Sequence, residues 1–130
     1  MIVLDASAVI EALMRTPKGL LVRQRIFAST DIHAPHLLDV EVLHGLRRMV
    51  RRGDMSVPQA LMALQVFQDL DIIRYPHSGF MRRIWALREN VSAYDAAYVV
   101  LAEALGAQLI TCDARLGSAP GHSAQVVFVS

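Results

Sequence analysis

Short apolar runs alternate along this chain with longer segments of helical periodicity. The short runs predict five β-strands, at residues 2–4, 32–34, 71–75, 108–111 and 126–129. Between them, apolar positions recur at spacings of three and four residues and predict helices over 8–14, 19–29, 37–52, 57–70, 78–88 and 93–105. Such alternation is typical of an α/β fold with a central, mostly parallel β-sheet flanked by α-helices.

Two of the predicted helices carry N-terminal capping signals. Ser56 is followed three residues later by Gln59, and Ser92 stands in the same relation to Asp95. In a capping box the hydroxyl accepts a hydrogen bond from the first turn, and the later side chain returns one to the amide of the cap residue. We therefore expect both helices to begin at these serines.

Length and composition narrow the class of protein. A chain of 130 residues predicts one domain over 1–130, and its apolar content of 54% indicates burial against a partner. The formal charge is +1, so any affinity for a polyanion must be local. A single cysteine, Cys112, and the absence of a signal-peptide pattern predict a cytoplasmic protein, and no membrane-spanning segment is expected.

Four acidic residues occupy positions that are unusual for surface carboxylates. Asp5 and Asp113 come after predicted strands, where open α/β sheets bind their ligands. Glu41 lies in an apolar stripe of its predicted helix, and Asp95 has no basic residue near it along its helix. Because an unpaired carboxylate is costly to bury, these acids need a counter-ion, a proton or a hydrogen-bond partner.

Each acid also has an ordinary structural explanation. Asp5 and Asp95 could cap helices, and Asp113 could begin a turn. Glu41 could pair with Arg48 or with a more distant arginine. Four separate caps and turns would be needed to explain acids at two strand ends and two helix starts. One shared site explains them more simply, so the set favours a metal site.

Clustered carboxylates repel one another by about 1 kcal/mol or more per pair, so they call for a cation or a shared proton. All-oxygen ligands select hard divalent ions such as Mg²⁺ or Mn²⁺, which can activate water and stabilise charge at phosphorus. The pattern therefore predicts phosphodiester hydrolysis. Ser7 and Thr111 each lie two residues from an acid and could orient these carboxylates. Ser7 is explained equally well as a helix cap, and Thr111 as an ordinary strand residue.

Four segments resemble those of PIN-domain ribonucleases, in particular the toxin subunits of VapBC toxin–antitoxin pairs: MIVLDASA (1–8), DVEVL (39–43), SAYDAAYVVLA (92–102) and LITCDARL (109–116). The resemblance implies Mg²⁺- or Mn²⁺-dependent endoribonuclease activity, with metal-binding and catalytic acids at Asp5, Glu41, Asp95 and Asp113 and supporting hydroxyls at Ser7 and Thr111. It also implies a homodimer and a cognate VapB-type antitoxin that inhibits the enzyme. Direct ligation by Asp113 stays open, because the fourth acid varies most in role within the family.

Arginines cluster in two of the predicted helices and are candidate phosphate contacts: Arg47, Arg48, Arg51, Arg52, Arg82, Arg83 and Arg88. Their alternative role is to complement a helix C-terminus and to solvate an exposed face. The five histidines are expected to be structural, and Trp85 and the methionines are expected to be packing residues.

Two other enzyme-like or regulatory classes fit poorly. Haloacid-dehalogenase-like phosphatases need a second acid two residues after the first, where this chain has Ser7. Signalling receiver modules need a lysine after the last strand, and Lys18 is the only lysine. The competing hypothesis is a PIN-like module that binds antitoxin or RNA without turnover, and the presence of all four acids favours the enzyme.

Overall fold

Five strands form one sheet in the computed structural model, which describes residues 1–130. The strands are β1 (Ile2–Leu4), β2 (Ile32–Pro35), β3 (Ile72–Tyr75), β4 (Gln108–Thr111) and β5 (Gln125–Phe128). Their order across the sheet is β3-β2-β1-β4-β5, and every neighbouring pair is parallel. The predicted α/β class is confirmed, and the sheet is parallel throughout.

Seven helices connect or flank the strands: α1 (Ala6–Met14), α2 (Pro17–Ala28), α3 (Leu37–Arg52), α4 (Val57–Asp69), α5 (Met81–Ala86), α6 (Ala93–Leu105) and α7 (Ala114–Ser118). The predicted bounds of α3 and α6 are confirmed. Helices α1 and α2 each begin two residues earlier than predicted, because Asp5 and Thr16 cap them through their side chains. None of the helices has the length and apolar character needed to cross a membrane.

One predicted helix was wrong, and one helix was not predicted. The stretch 78–88 is not one helix but a 3₁₀ turn, Ser78–Phe80, followed by the six-residue α5 and a series of tight turns. Helix α7 was not predicted, because five residues are too few to show a helical period.

Helix α6 lies at the centre of the protein. All seven residues from 96 to 102 are buried, and the helix packs against β1, β2 and β4. A helix that is apolar on every side belongs in the interior, which explains its place over the middle of the sheet. Since Asp95 lies in the first turn of α6, this packing brings that carboxylate to the carboxyl ends of β1 and β4.

Candidate active site

A cavity of about 460 Å³ brings together the four acids predicted from the sequence. Asp5 and Asp113 reach it from the ends of β1 and β4, Glu41 from α3 and Asp95 from the first turn of α6. Because β1 and β4 are parallel neighbours, their carboxyl ends meet at one edge of the sheet. The cavity therefore collects acids that are up to 108 residues apart in sequence.

Asp5 is the most deeply held of these acids, with 4% of its surface exposed. Its Oδ1 accepts hydrogen bonds from Ser7 Oγ at 2.7 Å and from the Ala8 amide at 2.9 Å, and its Oδ2 accepts one from Thr111 Oγ1 at 2.5 Å. Burial raises the pKa of Asp5 to about 6, against the lowering effect of these three bonds. Asp5 thus caps α1 and also presents a carboxylate that is costly to ionise without a cation.

The two predicted hydroxyl residues both contact Asp5 and also tie two loops together. Ser7 Oγ accepts from the Cys112 amide at 2.9 Å, and Thr111 Oγ1 accepts from the Asp113 amide at 3.0 Å. The two hydroxyl oxygens are 3.3 Å apart. This network joins the start of α1 to the loop after β4 and holds Asp5 in one orientation.

Glu41 is half-buried and takes its hydrogen bond from a residue that the sequence did not suggest. The hydroxyl of Tyr98 donates to Glu41 Oε1 at 2.5 Å. Burial raises the pKa of Glu41, and the negative charge of Asp95 adds to the effect. Arg48, the alternative partner, lines the cavity but forms no ion pair with Glu41.

Asp95 lies among like charges. Its negative charge raises the pKa of both Asp5 and Glu41, and its own pKa is raised by burial and then by the charge of Asp113. The Asp95 amide donates to Ser92 Oγ at 3.1 Å, but the carboxylate returns no bond to the Ser92 amide. The predicted capping box is therefore only half formed at Ser92. The carboxylate of Asp95 lines the cavity, and the Ser92 hydroxyl acts to lower its pKa.

The capping box at Ser56 is complete. The Ser56 hydroxyl accepts from the Gln59 amide at 3.2 Å, and the Gln59 side chain accepts from the Ser56 amide at 2.8 Å. The two boxes differ in that Gln59 returns a side-chain bond to the amide of its cap residue, whereas Asp95 returns none.

Asp113 differs from the other three acids. Its Oδ1 accepts from the Arg115 amide at 2.9 Å, which caps α7, and its Oδ2 lies 3.3 Å from Arg115 Nη2. Burial acts to raise the pKa of Asp113, but the bonds and charge of Arg115 outweigh it, so the pKa is lowered. The ordinary role of an aspartate at a helix start is realised here alongside its place in the cavity.

The donor set fits a hard divalent cation. The carboxylates supply oxygen ligands only. For Asp5, Glu41 and Asp95 the pKa is raised chiefly by burial, which disfavours the ionised form that a bound cation would stabilise. No three of these side chains already converge as a closed group of ligands. In general, Mg²⁺ takes few carboxylates in proteins and keeps several waters.

Four charged or polar residues line the cavity but were not predicted from the sequence to belong to the site: Glu11, His44, Tyr98 and Arg115. Helical spacing could have found two of them. His44 follows Glu41 by three residues, and Tyr98 follows Asp95 by three, so each shares a helix face with an acid. Burial raises the pKa of Tyr98 above its usual range, and the bond to Glu41 adds to this, so its hydroxyl stays protonated.

The arginine clusters divide between structural and cavity positions. Arg83 pairs with Glu103 at 2.8 Å, which is a structural role. Arg88 lies over the ring of Trp85 at 4.8 Å. Arg48 and Arg115 line the acid cavity and are the arginines placed next to the candidate site.

A second, apolar groove lies beside the acid cavity, and we call it the α3–α5–α6 groove. It has a volume of about 880 Å³ and is lined mainly by hydrophobic side chains, among them Val40, Met81, Trp85 and Tyr94. Trp85 was expected to be a packing residue, but 68% of the residue is exposed. Groups of exposed apolar side chains of this kind mark interaction surfaces.

Fold and site together define an α/β protein with a cluster of carboxylates at the carboxyl edge of a parallel sheet. The family model for the PIN domain matches residues 2–121. This chain belongs to the PIN-domain family, and the resemblance inferred from its four segments is confirmed.

Individual relatives agree with this assignment. The chain is 44% identical over 116 residues to the VapC ribonuclease Mb0985 of Mycobacterium bovis, covering 89% of this chain and 88% of that protein. It is 42% identical to Ribonuclease VapC12 of Mycobacterium tuberculosis over 130 residues, the full length of both. The crystal structure of PAE2754 from Pyrobaculum aerophilum superposes with a TM-score of 0.67 at 25% identity, covering 88% of this chain and 76% of that one.

Proposed function

We propose that this protein is a metal-dependent endoribonuclease that hydrolyses RNA phosphodiester bonds and acts as the toxin of a VapBC-type toxin–antitoxin pair. The observation that carries the proposal is the meeting of four carboxylates around one cavity in a chain of this family. The names of the relatives Mb0985, VapC12 and VapC1, each a VapC ribonuclease, support the same activity.

We assign metal binding and catalysis to the carboxylates of the cavity, and the supporting role to the two hydroxyls: Asp5, Glu41, Asp95, Asp113, Ser7 and Thr111. Mg²⁺ or Mn²⁺ suits these oxygen donors. When bound, such an ion supplies positive charge that polarises the phosphodiester and acidifies water. The chain itself holds Asp5 through three hydrogen bonds, and it places Asp95 where it lies close to the charges of the other acids.

The RNA backbone needs positive charge near the cleft, and the net charge of +1 supplies little over the whole molecule. Arg48 and Arg115 line the cavity, and the Arg115 side chain is 90% exposed. These two arginines are therefore the proposed contacts to phosphates on either side of the scissile bond. The Asp113–Arg115 pair keeps one of them at the rim.

The proposed partners are a cognate VapB-type antitoxin, which inhibits the enzyme, and a second copy of the chain. The proposed location is the cytoplasm, and residues 1–130 are proposed to act as one domain. Exposed apolar surface supports partners of this kind, above all the α3–α5–α6 groove.

Light scattering of the antitoxin-free protein is expected to give the mass of a dimer at micromolar concentration, and a monomer at every concentration would contradict the homodimer.

RNA cleavage with and without metal tests the proposed activity. Antitoxin-free protein incubated with a mixture of structured RNAs is expected to give discrete fragments in Mg²⁺ or Mn²⁺ and none in EDTA. Asp95→Ala is expected to remove cleavage, because it deletes one of the four acids of the cavity and the negative charge that acts on Asp5 and Glu41. Gel analysis of end-labelled RNA measures both effects.

A matched control is Asp54→Asn, which changes an exposed acid in the loop after α3. This variant is expected to cleave like the wild type. Failure of the folded, metal-loaded wild type to cut any RNA would favour a binding module without turnover. Cleavage that persists in Asp95→Ala with unchanged metal dependence would contradict the assigned site.

A further inference from the structure

Tyr98 combines deep burial with a polar contact in the acid cavity. The side chain belongs to α6, and only 1% of the residue is exposed. Its hydroxyl nevertheless reaches the cavity and donates to Glu41 Oε1 at 2.5 Å. Simple core packing would be served equally well by phenylalanine, so the hydroxyl calls for a separate explanation.

We propose that Tyr98 is a positioning residue that orients the Glu41 carboxylate for the divalent cation, an inference that rests on the proposed function. The hydroxyl holds Oε1 and leaves Oε2 without a side-chain partner. The donor is fixed because its ring is enclosed by the core, whereas Glu41 is attached through a flexible chain that is half-exposed. Tyr98 thus limits the positions that the carboxylate adopts before the ion binds.

The place of Tyr98 on α6 couples two ligands. Asp95 lies three residues earlier on the same helix, so Asp95 and Tyr98 share a helix face. Glu41 comes from α3, 57 residues away from Tyr98. The hydrogen bond therefore fixes the α3 carboxylate relative to the helix that carries Asp95. Partners that orient ligands in this way typically contribute 10- to 100-fold to metal affinity or activity.

Tyr98→Phe tests the inference because it removes only the hydroxyl. Calorimetric titration of the metal-free protein with Mn²⁺ is expected to show affinity weakened by about 10- to 100-fold. Cleavage of RNA is expected to need a correspondingly higher Mn²⁺ concentration. Circular dichroism is expected to show an unchanged fold, since the ring and its packing are retained.

Two further variants separate positioning from a general structural effect. Tyr75→Phe removes a hydroxyl that is hydrogen-bonded to His33 Nδ1 at 2.7 Å outside the acid cavity, and the Mn²⁺ affinity of this variant is expected to equal that of the wild type. In a Glu41→Gln background, Tyr98→Phe is expected to cause little additional loss, because its effect passes through the Glu41 carboxylate.

Three outcomes would overturn the inference. Wild-type Mn²⁺ affinity in Tyr98→Phe, or an equal loss with and without Glu41, would remove Tyr98 from the site while leaving the proposed nuclease intact. A wild-type protein that binds no Mn²⁺ and cuts no RNA would remove both the nuclease and the role of Tyr98.

Discussion

Replacing Asp5 by asparagine is expected to abolish RNA cleavage and to make the metal-free protein more stable. Asparagine keeps the shape of the side chain: its Oδ1 can accept from Ser7 and Ala8, and its amide can donate to Thr111 Oγ1. It removes the negative charge that would hold a cation. A catalytic metal supplies several kcal/mol, so the rate is expected to fall by about 1000-fold or more.

The gain in stability has a defined pH dependence. The pKa of Asp5 is raised from 3.8 to about 6 in the folded protein, chiefly by burial. Protonated Asp5 therefore favours the fold, and that contribution is complete below pH 3.8 and is lost as the pH rises through about 6. The advantage of Asp5→Asn over the wild type should be near zero in acid and reach up to about 3 kcal/mol above neutrality.

Urea denaturation in EDTA across this pH range measures the difference in free energy of unfolding. Asp54→Asn, with its exposed side chain, is the control and is expected to show no such trend. Addition of Mg²⁺ or Mn²⁺ at neutral pH is expected to stabilise the wild type more than Asp5→Asn, because binding to the folded state raises stability. An advantage of Asp5→Asn that is constant with pH would show that burial of this charge is not its source.

Gly19→Ala is expected to destabilise the protein by about 3 kcal/mol, although alanine normally favours a helix by about 1 kcal/mol over glycine. Helix α1 is followed by Arg15 in a left-handed conformation, with φ of 56°, and the chain turns at once into α2. A Cβ atom at Gly19 would lie 2.0 Å from the carbonyl oxygen of Glu11 and 2.6 Å from its carbon. Since these are backbone atoms of α1, only separation of the two helices relieves the overlap.

Thermal unfolding followed by circular dichroism is expected to show a Tm lower by about 10 °C for Gly19→Ala. Gly79→Ala is the matched control, because no atom lies within 4 Å of a Cβ built at Gly79. Its stability is expected to change by less than about 0.5 kcal/mol. A Tm for Gly19→Ala at or above that of the wild type would contradict the close approach of α1 and α2 at this point.

Local sequence patterns determined most of the elements. Apolar periodicity and the cap at Ser92 were enough to place α6, and the short apolar runs placed all five strands to within one residue at either end. The prediction of one helix over 78–88 failed because the side-chain periodicity continues through residues whose backbone forms tight turns. The expectation for Trp85 failed for a related reason, since the apolar character of a residue does not show whether its surroundings enclose it.

The residue types and their positions along the chain predicted which acids would lie together. Acids after two apolar strands and acids inside two apolar helical stretches point to one buried cluster, because burial of each alone would be costly. The order of the strands and the packing of the helices decided how those acids are held. Thr111 reaches Asp5 across 106 residues and Tyr98 reaches Glu41 across 57.

The range of each interaction along the chain decides whether the sequence alone can predict it. Capping, periodicity and turn preferences act over three or four residues, so they can be read along the chain. The roles of Tyr98, Arg115 and the α3–α5–α6 groove depend on which distant surfaces meet, and only the packing of α3, α5 and α6 beside the sheet decides that. Residue types along the chain are therefore enough to show which acids enter the fold, whereas the hydrogen bonds and neighbouring charges that act on them depend on tertiary packing.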